Sequence, residues 1–246
     1  MLGLWKRGMF VACLALWGML ALSRAAWPAE ELQGGVTGDE ALKKLLDGNR
    51  RFSGEQYARR VVGMARRAEL SKGQHPFAIV LSCSDSRVPP ELVFDQGLGD
   101  LFTIRVAGNV VDSIALGSIE YAAEHLHVPL LFVLGHEKCG AVAATVQGGE
   151  VPGNIAAIVS KIAPAVEKAK GSGKTGDALL AAAVDENVNA VLADVVRRSS
   201  ILANLIHEGK LTIAGGRYNL ASGRVDLMGA GGKKKPRVPA HPVETH

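Results

Sequence analysis

Three apolar runs of strand length, at residues 77–82 (FAIVLS), 101–106 (LFTIRV) and 130–134 (LLFVL), constrain this chain more than any other feature. They do not alternate apolar with polar, as a half-exposed strand does, so they read as strands buried on both faces. The segments between and around them have helical character. Thr37 or Asp39 can cap a helix in which Ala41, Leu42, Leu45, Leu46 and Phe52 recur at helical spacing. A more basic segment at 58–70 reads as a second helix. Asp112 can cap a third running to about residue 127, with Ile114, Ile119, Ala122 and Leu126 as its inner face. Another helix is expected from Cys139. The glycines at 148, 149, 153, 171 and 173 suggest loops around a short helix, and 184–208 reads as one long amphipathic helix. Residues 211–214 and 224–227 read as strands joined by a turn. Apolar strands alternating with helices predict an α/β fold: a central, mostly parallel sheet of about four to five strands flanked by helices. In such sheets the binding crevice lies outside the carboxyl ends of the strands.

With 246 residues, 48% hydrophobic and 21% charged, the chain has enough material for a sizeable core without disulfides. The formal charge of +4 resides at the two ends. Residues 1–25 hold Lys6, Arg7 and Arg24 and no acid, and the tail holds Lys233, Lys234, Lys235 and Arg237 against Glu244. The body between them has a slight acidic excess, which argues against a nucleic-acid partner. Lys6 and Arg7 precede an apolar run at 9–22, followed by Ser23-Arg24-Ala25, with small residues where a signal peptidase reads them. Residues 1–25 are therefore read as an export signal that directs the protein to the periplasm or outside the cell. The alternative is an uncleaved membrane anchor, for which the run is short. Residues 26–232 then form a single α/β catalytic domain, and 233–246 a basic, flexible tail. There are no internal repeats.

Two cysteines remain beyond the signal. Cys83 follows the first apolar strand; His136 and Cys139, spaced His-x-x-Cys, follow the third. If those strands are neighbours, all three side chains meet at one carboxyl edge. Two thiolates and an imidazole suit Zn²⁺, and three protein ligands leave a fourth position open, as catalytic sites do. The spacing alone also allows Cys83 and Cys139 to pair as a disulfide in an oxidising compartment. Asp85 and Arg87 lie two and four residues beyond Cys83. A carboxylate clamped by an arginine can accept a hydrogen bond beside a metal while staying ionised and directed.

The motifs CSDSRVPPELVFD, RVAGN, IEYA and GHEKCGA, in this order and with GNRRF at 48–52, closely resemble the β-class carbonic anhydrases. The resemblance implies reversible hydration of CO₂ to bicarbonate and a proton, through hydroxide generated at one zinc per subunit. It implies Cys83, His136 and Cys139 as metal ligands, and Asp85 and Arg87 as the catalytic dyad. Gln74 matches the glutamine that hydrogen-bonds bicarbonate, and Phe102 and Tyr121 match aromatic residues of the CO₂ pocket. Ala107 stands where some members have valine. Gln74 and backbone amides near Gly140 would hold the developing oxyanion, and His75 is a candidate proton shuttle. The resemblance also implies a homodimer or higher homo-oligomer with active sites at subunit interfaces.

Rival readings stay open at the level of sequence: hydrolysis of carbonyl sulfide or carbon disulfide on the same scaffold, a non-catalytic zinc or bicarbonate binder, and a thiol–disulfide protein lacking Cys-x-x-Cys. Gly173-Lys174-Thr175 ends like a phosphate loop, but Lys168 occupies the required earlier glycine. No Gly-x-Gly-x-x-Gly follows a strand, and the nucleobase-deaminase pattern is absent.

Overall fold

The computed structural model describes residues 35–58 and 62–228. The export signal and the basic tail expected from the sequence lie outside the described residues. Five strands form one sheet: β1 (Ala78–Ser82), β2 (Leu101–Arg105), β3 (Leu130–His136), β4 (Thr212–Tyr218) and β5 (Val225–Leu227). Their order is β2-β1-β3-β4-β5, with every pair parallel except β4–β5. This is the mostly parallel sheet expected, closed at one side by the 211–227 hairpin.

The core follows from the two-residue period of the buried strands. Ile79, Leu81, Leu131 and Val133 face one side of the sheet. There they pack with Ala115, Leu116, Ile119, Ala122 and Ala123 of α4 (Ser113–Glu124), Val188, Val191 and Val195 of α7 (Gly176–Arg198), and Leu202 of α8 (Ser200–His207). Ala78, Val80, Leu130, Phe132 and Leu134 face the other side, against Ala41 and Leu45 of α1 (Gly38–Ser53) and Val93 of the short α3 (Pro90–Val93). Each fully buried aliphatic side chain of this kind contributes about 1.5–3 kcal/mol. Thr37 caps α1 in a full capping box with Glu40, and Asp112 caps α4 through the Ala115 amide at 2.7 Å. Asn49, in the GNRRF segment, is buried and satisfied on both ends of its amide. It donates to the Val93 and Gly223 carbonyls and accepts from the Val225 amide, fastening α1 to α3 and the hairpin.

Several boundaries differ from expectation, each for a physical reason. The second helix, α2, begins at Met64 after Gly63 rather than at 58. The third strand extends through Gly135 to His136, so the histidine is the last residue of β3. At Gly135 a Cβ would lie 2.6 Å from Val188, so only glycine lets α7 approach the sheet there. In place of a short helix within loops, α6 (Ile155–Lys170) has sixteen residues; the glycines flank it, and Ile162, Ala165, Val166 and Ala169 bury one face. The expected long helix is two. It starts at Gly176 and breaks at Ser199, whose hydroxyl caps α8 by accepting from the Leu202 amide and donates to Glu120 at 2.5 Å. Ile114 is not on the inner face of α4: it is 78% exposed, because the buried phase runs 115, 116, 119, 122, 123 and position 114 falls outside it. Among the described residues no helix is long and apolar enough to cross a membrane.

Candidate metal centre

β1 and β3 are adjacent and parallel, with Ser82 opposite Leu134, so their carboxyl ends open on the same crevice. Cys83 is the first residue past β1, His136 ends β3, and Cys139 is the N-cap of α5 (Gly140–Gln147). The two Sγ atoms and an imidazole nitrogen lie within 4.8 Å of one another, and all three residues are buried. Both cysteines are free thiols, so the pairing the spacing allowed is not the arrangement here.

The donor set fits a soft or borderline dication. The Nδ1 of His136 lies 2.8 Å from the Glu137 carbonyl oxygen, which can only accept, so Nδ1 holds the proton and Nε2 presents a lone pair. That Nε2 is buried without a hydrogen-bond partner. A fully buried imidazole nitrogen costs free energy unless something binds it, and a cation held with the two sulfurs satisfies it. The Cys83 thiol is pulled well below its ordinary range. The largest cause is a hydrogen bond from Cys139, followed in the same direction by the Gly108 and Asp85 amides, against the opposing effect of burial. Cys139 is pushed up by that same shared bond and by burial, although the Ala141 and Val142 amides at the start of α5 favour its thiolate.

Asp85 stands beside this cluster, its Oδ2 3.8 Å from His136 Nε2. Arg87 grips it three times: its amide at 3.0 Å and Nε at 2.9 Å on Oδ1, and Nη2 at 2.7 Å on Oδ2. The guanidinium bonds hold the Asp85 carboxyl well below the usual carboxylate range, so it is ionised at any physiological pH. The dyad inferred from the sequence is formed within one chain.

Sequence reasoning gave three supports no role, although Arg105 and Gly108 lie in the RVAGN motif. Gly108, at φ +68° in the 107–109 turn, donates its amide to Cys83 Sγ at 3.3 Å; a Cβ there would also lie 2.6 Å from Ile162. Asn187, buried on α7, donates to the Gly108 carbonyl at 2.8 Å and so holds that turn. Arg105, at the end of β2, donates to the carbonyls of Cys83 and Asp85. The sequence contained a signal for two of these: Asn187 interrupts an apolar helix face, and Arg105 is the one charge in an apolar run.

The remaining candidates divide. Ala107 is half-buried in the turn that bears Gly108, and Gly140 is the exposed first residue of α5. A Cβ at Gly140 would meet no protein atom, so packing does not require glycine there. Gln74 and His75 are exposed and precede β1, at the sheet edge opposite Cys83. The five residues of β1 between them span about 17 Å. Gln74 lines a surface hollow of about 580 Å³ with Arg67, Leu70 and Leu98 among others, and no metal-site residue lines it. Phe102 is the second residue of β2, opposite Ile79; its ring lies 6.2 Å from that of Tyr121, which is 42% exposed on α4.

A carbonic anhydrase family model matches residues 78–225. A carbonic anhydrase of Mycolicibacterium smegmatis is 44% identical over 195 residues, covering 76% of this chain and 91% of that one. Carbonic anhydrase 2 of Mycobacterium tuberculosis is 41% identical over the same shares. A Coccomyxa β-carbonic anhydrase, solved in complex with acetazolamide, superposes with a TM-score of 0.61 at 27% identity, covering 76% of this chain and 86% of that one.

Proposed function

The chain belongs to the carbonic anhydrase family, in its β class, and on that premise we propose that it interconverts CO₂ and bicarbonate at the Cys83–His136–Cys139 cluster with one zinc ion per subunit as the resident cation. The observation that carries this reading is the buried, unpartnered His136 Nε2 facing two free thiols beside an ionised carboxylate. When bound, zinc supplies the Lewis acidity that brings the ionisation of a water molecule down to about neutral pH.

The protein's own groups do the rest. Asp85, kept ionised by Arg87, accepts a hydrogen bond from the attacking oxygen and leaves a lone pair of that oxygen facing the carbon of CO₂. The Gly108 amide on Cys83, and the Ala141 and Val142 amides on Cys139, stabilise the thiolates and fix their direction. The Gly140 amide, on the first turn of α5, is free to receive charge that develops on the substrate oxygen. Addition of hydroxide to CO₂ yields bicarbonate, and the proton from water passes to solvent.

Gln74, Phe102 and Tyr121 enter through a second copy of the chain in this proposal. Within one protomer Gln74 is separated from the cluster by the length of β1, while the side chains of Gln74 and Tyr121 are open to solvent. A homo-oligomer that sets the amino edge of one sheet against the carboxyl edge of another would complete each site. Export through residues 1–25 belongs to the proposal as well. The N-terminal mass of protein recovered from a periplasmic fraction tests it, and a mature chain still beginning at Met1 overturns it.

Stopped-flow CO₂ hydration on the metal-loaded protein, with sulfide release from carbonyl sulfide assayed beside it, tests the reaction. Rapid hydration that tracks zinc content is expected. Sulfide release without CO₂ hydration transfers the site to the rival hydrolase, and neither activity in fully loaded protein leaves a binding protein.

A further inference from the structure

We infer that Arg105 is a positioning residue for the catalytic loop, acting on Cys83 and Asp85 through their main-chain carbonyls. The inference rests on the proposed zinc site and deepens it. β1 ends at Ser82, whose register partner is Arg105. Beyond that point the main chain leaves the sheet, and the carbonyls of residues 83 to 85 lose their strand partner. They belong to the segment that bears both a metal ligand and the catalytic carboxylate, so their direction matters more than that of other loop carbonyls.

Arg105 takes the place of the missing ladder at Cys83, and at Asp85 it shares the carbonyl with the Val88 amide, which donates at 3.0 Å. The Nε of Arg105 donates to the Cys83 carbonyl at 3.1 Å and its Nη2 to the Asp85 carbonyl at 2.6 Å. The following residues continue the grip: the Val106 amide donates to Ser82 at 3.0 Å, and the Gly108 amide reaches the Cys83 sulfur at 3.3 Å. The end of β2 and its turn therefore hold the last residue of β1 at one point and the loop after it at three. Both Arg105 bonds go to main-chain carbonyls instead of a carboxylate. Two carbonyls two residues apart suit a rigid planar fork with separate donors; a lysine ammonium offers one point and no fixed plane.

The division of labour is then specific. Arg87 orients the Asp85 carboxylate from the side-chain end, and Arg105 orients the same residue from its backbone end. Cys83 is held likewise, with its sulfur on Gly108 and its carbonyl on Arg105. Without Arg105 the ligand and the carboxylate remain, but their relative placement loosens.

The test uses the full chain and two variants, Arg105→Gln and Arg105→Lys, each loaded with zinc and separately with cobalt. Arg105→Gln is expected to hold zinc about 10- to 100-fold more weakly against a chelator. The visible bands of its cobalt form should shift, and kcat should fall at least as far as kcat/KM. Arg105→Lys, which keeps the charge and one donor, recovers part of each, and it provides the reading if Arg105→Gln compromises folding. Variants that match the parent in both chelator competition and cobalt spectrum overturn the inference. The parent is measured alongside: a parent that neither binds zinc nor hydrates CO₂ sinks the functional reading, whereas an active parent with indistinguishable variants sinks the role of Arg105 alone.

Discussion

The two edges of the sheet differ in how finished they are. At the carboxyl edge Cys83, His136 and Cys139 are buried, and Asp85 and Arg87 are locked to one another. At the amino edge Gln74 and His75 lie exposed, and Tyr121, toward the end of α4 that leads back to the start of β3, is 42% exposed. The three candidate metal ligands and the amide donors to their sulfurs all lie within one chain. Groups that only contact substrate can come from elsewhere, so long as the assembly brings them. On the proposed function, the difference means that a protomer is preorganised for the metal and is completed for the substrate by a second copy.

Breaking the finished edge has the largest expected effect. Cys139→Ser and His136→Ala each remove a ligand from a site with three, so metal content measured by elemental analysis should fall to near background and CO₂ hydration with it. Asp85→Asn separates the metal from the chemistry. The amide keeps the shape and loses the ionised acceptor, so zinc should stay while kcat drops by about 10²–10⁴-fold. Full activity in Asp85→Asn would remove the dyad from the mechanism.

The unfinished edge is tested by complementation. Gln74→Ala alone should lower kcat/KM by about tenfold, the loss expected for one hydrogen bond to a charged substrate. Co-expressed with Cys139→Ala, it should yield mixed oligomers more active than either variant, because one site in such a pair receives an intact metal cluster from one chain and an intact Gln74 from the other. Mixed oligomers no more active than their parents would place Gln74 outside the site.

How much of this could be read from residues alone depends on whether the information was local. The three strands, the ligand triad and the Asp85–Arg87 pair were legible, because each depends on spacing within a few residues of a strand end. The sixteen-residue α6 was obscured by glycines that flank it, and the break at Ser199 by an apolar pattern continuing across it. Ile114 was assigned inward because its type fits a core, although its phase does not. Gly108 acts through its own amide, which leaves no trace in side-chain chemistry, and the side chains of Arg105 and Asn187 act on main-chain carbonyls that no residue type marks. The separation of Gln74 from Cys83 follows only from the direction of β1, since nine residues of sequence distance are compatible with contact in a turn.

The smallest expected effect concerns stability, and it asks whether the Asp85–Arg87 lock is preformed without its metal. The Asp85 carboxyl is held below its ordinary value in the folded chain, chiefly by the Arg87 guanidinium, so near and below about pH 4 the unfolded chain binds the extra proton first. The stabilisation is therefore fully present above about pH 4 and is lost as pH falls toward the depressed folded value. With the Arg87 side chain 52% exposed, solvent screening limits the lock to a small amount of stability. Urea unfolding of the parent and Asp85→Asn, both kept metal-free by chelator, should differ by that amount at pH 6 and converge as the pH approaches 2. A difference that stays constant with pH would mean that the pair forms only around the cation, and the carboxyl edge would then be no more finished than the amino edge.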